Sequence, residues 1–544
     1  LSLGIALDIG TSGFRCYLLD INSASVLKAA VTPRHPLPGS NVIDHLEFAV
    51  NEGVDLAQHL MVSSINRLIS GLQCDVRKIT RLAICGNPIQ LSIFQGIEIR
   101  DLAYAGRTKL KSLGINAPCR QSKIIKARKI DGLNLSPDTE IMIPPSVEHE
   151  VGGDAIAMVI QTGILHREEI ALATDYGTNA EMVLKVGETI FTGSTAAGPA
   201  IEGQQLSSGM LALPGAIVDV EIDSDSTLKT WVLDESMSVS IGSKVNLISG
   251  KTLSEGTVSS IGITGTGVIA LIEQGIRRGI ITLPKINTLD KCIKLPGENR
   301  FTEIDLIQVG KAVAAFRAGH TSLVKMANIE ISQIDAVYLC GASGTFVDAE
   351  KARNVGLYPQ QIQTVHQVGN TSLSMARDLI LQPDRLQEMQ DIANTLKSNH
   401  CMFASSGIFS KAFIVELSYW TEGMPDELYL KYSKRYNLPC ALECALKPKI
   451  THVEKDKTKN YEDCNISIIQ YESSYAEIDF KGCTWCMECI NNCPEHALSI
   501  HGNDEKKTIR LDFSLCRGYS CKKCEKICPD NIFLYTDILK AHRK

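Results

Sequence analysis

Eight cysteines packed into 46 residues near the C-terminus constrain this chain more than any other feature. They form two runs, Cys483-x2-Cys486-x2-Cys489-x3-Cys493-Pro494 and Cys516-x4-Cys521-x2-Cys524-x3-Cys528-Pro529. An iron–sulfur cluster needs thiolates that converge on a compact core. A short looping run delivers three of them, and the fourth, just before proline, is carried away to serve the other cluster. The two runs therefore predict a pair of [4Fe–4S] clusters with crossed ligation. Zinc also accepts Cys-x2-Cys pairs, but four ligands per ion give no reason for the doubled Cys-x3-Cys-Pro ending.

Both runs continue alike, Cys493-Pro-Glu-His-Ala-Leu-Ser-Ile and Cys528-Pro-Asp-Asn-Ile-Phe-Leu-Tyr, into a turn and an apolar strand. Residues 471–544 thus resemble bacterial two-cluster ferredoxins. The departure is the four-residue gap between Cys516 and Cys521, where the simplest pattern has two. This segment carries 11 basic and 11 acidic residues, so the clusters' own charge would make it anionic and suit a basic face on a partner. Trp485 reads as a shield or a packing residue of the first cluster loop. His496 and His501 read as ordinary side chains, not cobalt ligands.

The rest of the chain is bounded by its composition. At 544 residues it holds about three or four domain-sized units, with 44% hydrophobic and 21% charged residues, as in soluble globular proteins. A net charge of −6 argues against nucleic acid as a partner. The opening Leu1–Asp8 segment is too short for a signal peptide, and no apolar run is long enough to span a membrane. Many cysteines beside iron–sulfur ligands imply a reducing compartment, so the expected location is cytoplasmic.

Upstream, two segments share one form. Leu3 to Ile9 reads as a buried strand, followed by Asp8-Ile-Gly10-Thr11-Ser12-Gly13 and a second strand from Phe14 to Leu19. Ile170 to Thr174 is followed by Asp175-Tyr-Gly177-Thr178-Asn179 and a strand from Glu181 to Val186. Each is a β-hairpin whose glycine-supported turn offers hydroxyl and backbone N–H donors. Such donors clamp phosphate oxygens, and an aspartate at the strand end can hold a Mg²⁺-bound water. Either hairpin alone is commonplace; two copies 167 residues apart are an internal duplication. A third element, the strand Ile334–Cys340, ends in Gly341-Ala-Ser-Gly344.

This trio resembles the phosphate-1, phosphate-2 and adenosine motifs of the actin, Hsp70 and sugar-kinase superfamily. The resemblance implies an α/β fold, a duplicated actin-like (ribonuclease H-like) ATPase clam of two similar halves closing on Mg-ATP. It implies that Asp8, Gly10, Thr11 and Ser12 meet phosphate from one half, and Asp175, Gly177, Thr178 and Asn179 from the other. Gly341 and Gly344 would face adenosine. Asp154, in Gly152-Gly-Asp-Ala-Ile, becomes a candidate for orienting the attacking water, with Glu150 as understudy; an equal alternative is that Asp154 caps its helix.

Between these landmarks, Thr192-Gly-Ser-Thr-Ala-Ala-Gly-Pro-Ala-Ile-Glu202-Gly203, Gly262-Ile-Thr-Gly-Thr-Gly267 and Val309 to Gly319 resemble the reductive activators of corrinoid-dependent methyltransferase systems. Most of residues 1–424 aligns with that family's ATPase body. Many members carry an N-terminal plant-type [2Fe–2S] domain; a C-terminal two-cluster ferredoxin resembles the archaeal branch that serves methylamine methyltransferase corrinoid proteins. The resemblance implies ATP-dependent reduction of Co(II) corrinoid to Co(I), with electrons taken from a donor protein or reductant. Two other readings compete: a 2-hydroxyacyl-CoA dehydratase-type activator, and a small-molecule kinase with a regulatory ferredoxin. The expected organisation is an ATPase body over 1–424, a connector over 425–470 and a small α+β ferredoxin-like domain over 471–544. Cys440 and Cys444 in the connector read as free thiols, and the basic stretch Arg120–Lys129 as a solvated helix face.

Overall fold

The computed structural model describes residues 2–104, 107–147, 151–223, 225–341, 347–396, 400–438, 447–453, 466–469, 475–503 and 506–541. Glu150, Gly344, Cys440 and Cys444 lie outside them. The chain divides into two compact units. The first comprises Leu1–His149, Ala376–Gln387 and Ile466–Lys544; the second comprises Glu150–Met375 and Glu388–Asn465.

The first unit is built on a seven-stranded sheet. Strand β1 (Leu3–Ile9) is buried at all seven positions and pairs antiparallel with β2 (Phe14–Asp20), which pairs antiparallel with β3 (Ser25–Val31). Helices α1 (Val42–Glu52) and α2 (Val54–Gly71) follow. Strand β4 (Ile79–Gly86) then returns parallel to β1. Helix α3 (Pro88–Gln95) starts where Asn87 caps its first turn and Pro88 presets its first φ, and it stops at Gly96 in the left-handed region. Strands β5 (Lys123–Lys126) and β6 (Glu140–Ile143) complete one edge, and Ile466–Ile468 joins β3 at the other.

The expected helix over Arg120–Lys129 is therefore corrected. Ile124 and Ile125 favour a strand and pair with β6, while the flanking lysines blunt an exposed sheet edge. Arg120 is drawn inward to Asp101, with Nη1–Oδ2 at 2.6 Å.

The second unit repeats the plan. After α4 (Gly153–Thr162) come β7 (Ala171–Asp175), β8 (Asn179–Val186) and β9 (Thr189–Ala196), an antiparallel meander like β1–β2–β3. A six-stranded sheet over 216–263 leads into α5 (Gly265–Arg277) and the long α6 (Glu303–Met326). Thr302 and Asp305 start α6 with a capping box. Strands β10 (Ala336–Cys340) and β11 (Thr364–Gly369) lie parallel beside β7, as β4 and β6 lie beside β1. Strand β12 (His400–Cys401) pairs with β9. Helices α7 (Gly407–Glu422) and α8 (Asp426–Arg435) are pinned to α6 by a buried ion pair: Arg317 Nε lies 2.6 Å from Glu416 Oε2, and Tyr429 donates to Glu416 Oε1 at 2.6 Å. Strand β13 (Lys449–His452) adds to β11. Residues 425–470, expected as a connector, thus supply a helix and an outer strand to each of the two large sheets.

The tail is a three-stranded antiparallel sheet of β14 (Tyr475–Ile478), β15 (Leu498–Asn503) and β16 (Lys506–Asp512), with α9 (Tyr535–Ala541). It shares one apolar core with the N-terminal part of its own unit: Phe513, Phe533, Ile538 and Leu539 cluster with Phe48, Leu46 and Leu60. The Phe48 and Phe513 rings stand 6.3 Å apart. Each fully buried aromatic of this kind contributes roughly 1.5–3 kcal/mol. Among the described residues no helix is long and apolar enough to cross a membrane.

Candidate functional site

The first turn is held by close backbone approach. A side chain at Gly13 would meet the Thr32 carbonyl at 2.8 Å, and one at Gly10 would meet the Gly13 carbonyl at 2.9 Å. Phe14 N–H donates to Thr32 Oγ1 at 2.8 Å, locking the hairpin exit. Asp8, one residue before the end of β1, is buried opposite Arg15, whose Nη1 lies 3.9 Å from Asp8 Oδ2. Thr11 and Ser12 occupy the turn itself. Asn87, which the sequence reading did not single out, donates to Thr11 Oγ1 at 3.3 Å while its own oxygen caps α3.

Gln90, one turn into α3, orders two buried histidines. His35 Nδ1 accepts from Leu37 N–H at 3.1 Å, so His35 Nε2 carries the proton and donates to Gln90 Oε1 at 3.0 Å. The Gln90 amide then donates to His45 Nδ1 at 2.8 Å. The two imidazoles stack at 3.9 Å. Burial holds His35 down to about 3 and His45 well below the ordinary histidine range. In the second unit, His320, bonded to Thr174 Oγ1 at 2.9 Å, is held down to about 3 by burial and by Arg317.

A histidine kept neutral when folded but free to charge when unfolded makes the unfolded chain bind the extra proton. Stability is then complete above about pH 6.5 and falls with pH towards the folded value, by about 1.4 kcal/mol per pH unit per histidine. Thermal unfolding midpoints should therefore drop between pH 7 and pH 5. His320→Asn, which keeps a hydrogen-bonding group near Thr174, should flatten part of that slope. A midpoint that does not change below pH 6.5 would refute the assignment.

The second turn gathers carboxylates. Asp175 ends β7 at the register position of Cys340 on β10, and Tyr176 N–H donates to the Cys340 carbonyl at 3.1 Å. Gly341, at φ +87°, lies behind Asp175; any side chain there would collide with the Asp175 carboxylate. Thr178 donates both its N–H (2.9 Å) and its hydroxyl (2.6 Å) to Glu202 Oε2. Those are the donors expected to meet phosphate, and Glu202 here supplies the anionic oxygen they orient towards.

Glu181, two residues along β8 from Asn179, is buried. Burial pushes its carboxyl well above the usual range, and Asp154, Asp175 and then Glu202 push the same way. Asp154 lies in the first turn of α4, where the helix dipole favours a carboxylate; the cap position is Gly152. The structure thus brings Asp154, Asp175, Thr178 and Glu202 around Glu181. A glutamate inside the apolar run Ala180–Leu184 was the signal for Glu181. A small apolar pocket is lined by Tyr176, Ile201, Thr266, Ile269, Leu339 and Val347 among others.

The eight cysteines sort into two groups that cross the runs. Cys483, Cys486 and Cys489 line one pocket together with Cys528 from the second run, under Phe480, Trp485 and Phe533. Trp485 and Met487 take φ of +57° and +66°, winding the loop around that space. Burial pushes the Cys489 thiol up to about 11, with Cys483 and Cys486 adding. Cys493 from the first run is instead a charge neighbour of Cys516 and Cys524, both pushed by burial up to about 12, with Cys521 adding to each. Such thiols are proton-bearing until iron displaces the proton. Among the described residues no three His, Cys, Asp or Glu side chains stand close enough to hold a single metal ion. Four cysteines drawn from both runs around one pocket fit the four-thiolate ligand set of a [4Fe–4S] cluster.

The extra residues between Cys516 and Cys521 have a use. Gly518–Ser520 forms a short turn packed against Pro38 and α1. The Gly39 N–H donates to the Cys516 carbonyl at 2.8 Å, and the Tyr519 hydroxyl bonds Glu52 at the end of α1. The departure from the simplest ferredoxin pattern is thus what fastens the tail to the N-terminal part of its unit.

Comparison with known proteins places these features. Residues 3–168 match the RACo middle region, residues 169–429 the C-terminal domain of RACo, the ASKHA domain, and residues 482–532 a 4Fe-4S dicluster domain. A "[Co(II) methylated amine-specific corrinoid protein] reductase" of Methanosarcina barkeri is 42% identical over 95% of both chains. The "Corrinoid activation enzyme RamQ" of Eubacterium limosum is 24% identical over 68% of this chain and 62% of its own length. The solved structure of a "Reductive activator for corrinoid,iron-sulfur protein" superimposes with a TM-score of 0.62 at 26% identity, over 76% of this chain and 65% of that one.

Proposed function

The chain belongs to the RACo family of corrinoid-protein reductive activators, and from this premise we propose that it uses ATP to drive reduction of Co(II) to Co(I) in corrinoid proteins of methylamine methyltransferases. The observation that carries the reading is the presence, on one chain, of two phosphate-type turns and two quartets of cysteine thiols. Bound in those quartets, two [4Fe–4S] clusters would supply one-electron carriers of low potential.

The residues divide the work. Asp8, Gly10, Thr11 and Ser12 in one turn, and Asp175, Gly177, Thr178 and Asn179 in the other, bind and orient the phosphates. Asp8 in its own unit and Asp175 in the other are each suited to a Mg²⁺-bound water, which would supply charge neutralisation to the phosphates, since Mg²⁺ dehydrates reluctantly. Asp154 orients the attacking water, and burial disfavours the charged form of Glu181 beside the carboxylates of Asp154, Asp175 and Glu202. When phosphate arrives, Glu202 yields the Thr178 donors. Gly341 would face the nucleoside, the role also expected of Gly344 from its motif.

ATP helps because each nucleotide state can bind the corrinoid partner differently. A ten-thousandfold preference for one state is about 5.5 kcal/mol, or about 240 mV at roughly 59 mV per tenfold for one electron. That is large enough to move a very reducing couple within reach of an iron–sulfur donor.

The test is direct. The anaerobically purified protein, a reductant and a Co(II) methylamine-pathway corrinoid protein are mixed with and without ATP, and the Co(I) absorption is followed. Co(I) should accumulate with ATP and not without it. Equal traces in both arms would overturn the reading.

A further inference from the structure

We propose that the Tyr535 hydroxyl sets the potential of one of the two clusters, making the quartet that contains Cys516 the more easily reduced. The inference rests on the two-cluster reading above and concerns this chain's own donors. Tyr535, at the start of α9, is fully buried, and its oxygen lies 3.4 Å from Cys516 Sγ. Its position is fixed from two sides. Its backbone N–H donates to Glu525 Oε2 at 3.0 Å, and the Tyr519 ring meets it edge-on at 5.3 Å and 86°. With Cys516 ligated as a thiolate, which only accepts, the phenol is the donor.

The two quartets differ in how many donors reach their sulfurs. The Cys493, Cys516, Cys521 and Cys524 group receives the Tyr535 hydroxyl, the Gly518 N–H at 3.3 Å on Cys516, and the Ala497 N–H at 3.3 Å on Cys493. Backbone N–H groups reach both quartets: Glu525 bonds Cys524 in the Cys516 group, while Ile490 bonds Cys489 and Phe533 bonds Cys528 at 3.5 Å in the other; among the described residues the buried Tyr535 hydroxyl is what sets the Cys516 group apart. Much of its cavity wall is apolar: Phe480, Trp485, Ile490, Ile509, Ile532 and Phe533.

A reduced cluster carries one more negative charge, so a donor to its sulfur is stronger in the reduced state and raises the potential. Apolar burial with fewer donors acts the other way. An electron entering the quartet that contains the exposed Cys486 therefore runs downhill to the quartet that contains Cys516, the one fastened to Gly39.

The test is a redox titration followed by electron paramagnetic resonance, with iron content measured on each sample. In Tyr535→Phe one of the two reduction waves should move to lower potential, so that at its wild-type midpoint the reduced-to-oxidised ratio falls roughly tenfold, or about 59 mV. The other wave and the iron content should stay in place. Tyr519→Phe, which removes a hydroxyl that bonds Glu52 rather than sulfur, should move neither wave. Incorporation of 3,5-difluorotyrosine at 535 keeps the shape of the side chain and strengthens the donor, so it should raise the same wave. That arm decides the matter even if the phenylalanine variant folds poorly. Two waves that do not move, or that shift together, with iron unchanged would overturn the inference alone. A wild-type protein with one wave, or well under about eight irons, would remove the two-cluster reading and this inference with it.

Discussion

Asp175→Ala is expected to lower ATP turnover by about 10²–10³-fold, the size seen when one preorganised charge-stabilising group is removed from a transition state. Its visible cluster spectrum and iron content should not change. Asp175 stands at the end of a fully paired strand, its neighbour Tyr176 is bonded to the end of β10, and its carboxylate rests against a position that tolerates only glycine. A carboxylate so fixed is in place before the nucleotide arrives. The cysteines belong to a different compact unit, so losing Asp175 should leave them alone. Asp8→Ala should lower turnover in the same way. Glu181→Gln is a useful companion, because burial and the neighbouring carboxylates push that carboxyl towards its neutral form and an amide preserves its shape. It should retain turnover within a few-fold, whereas Glu181→Ala leaves a cavity among three carboxylates. An ATPase rate unchanged in Asp175→Ala would remove the phosphate role from the second turn.

The duplicated body was legible because its signal is local. Strand, aspartate, glycine and hydroxyl residues are contiguous in both hairpins, and the sheets repeat β3-β2-β1-β4-β6 as β9-β8-β7-β10-β11. The thiols were legible because the Cys-x2-Cys-x2-Cys-x3-Cys-Pro spacing encodes both a loop and its crossed partner. What escaped the sequence reading came from residues distant along the chain. Asn87 reaches Thr11 across 76 positions, and Tyr535 reaches Cys516 only because α9 folds back on the cluster loops. Glu202 lay inside a motif already noted, but nothing in that motif says that its carboxylate would take both Thr178 donors. The insertion Arg517–Ser520 looked like a local irregularity, and its meaning lies in α1 and Gly39. The division of the chain was hidden for the same reason. Ile466–Ile468 is three residues long, and only its pairing with β3 shows that the tail belongs with the N-terminal part.

Cys528→Ser should cut the iron content from about eight atoms to about four, and the cluster lost should be the one served by the first cysteine run. This follows from the thiol grouping. Cys528 shares a cavity with Cys483, Cys486 and Cys489, while Cys493 neighbours Cys516 and Cys524. Pairs of substitutions separate this arrangement from an uncrossed one, because residues that act on one cluster are non-additive and residues that act on different clusters add. Cys483→Ser combined with Cys528→Ser should still hold about four irons, since both act on one cluster. Cys516→Ser combined with Cys528→Ser should hold almost none. If each run instead served its own cluster, the two double variants would exchange their results. The same proteins separate the two halves of the proposed mechanism. ATP hydrolysis should persist in Cys528→Ser, because both phosphate turns are untouched, whereas ATP-dependent formation of Co(I) should collapse with the broken electron path. Retention of Co(I) formation at about four irons would mean that a single cluster suffices, and would take the first quartet out of the route.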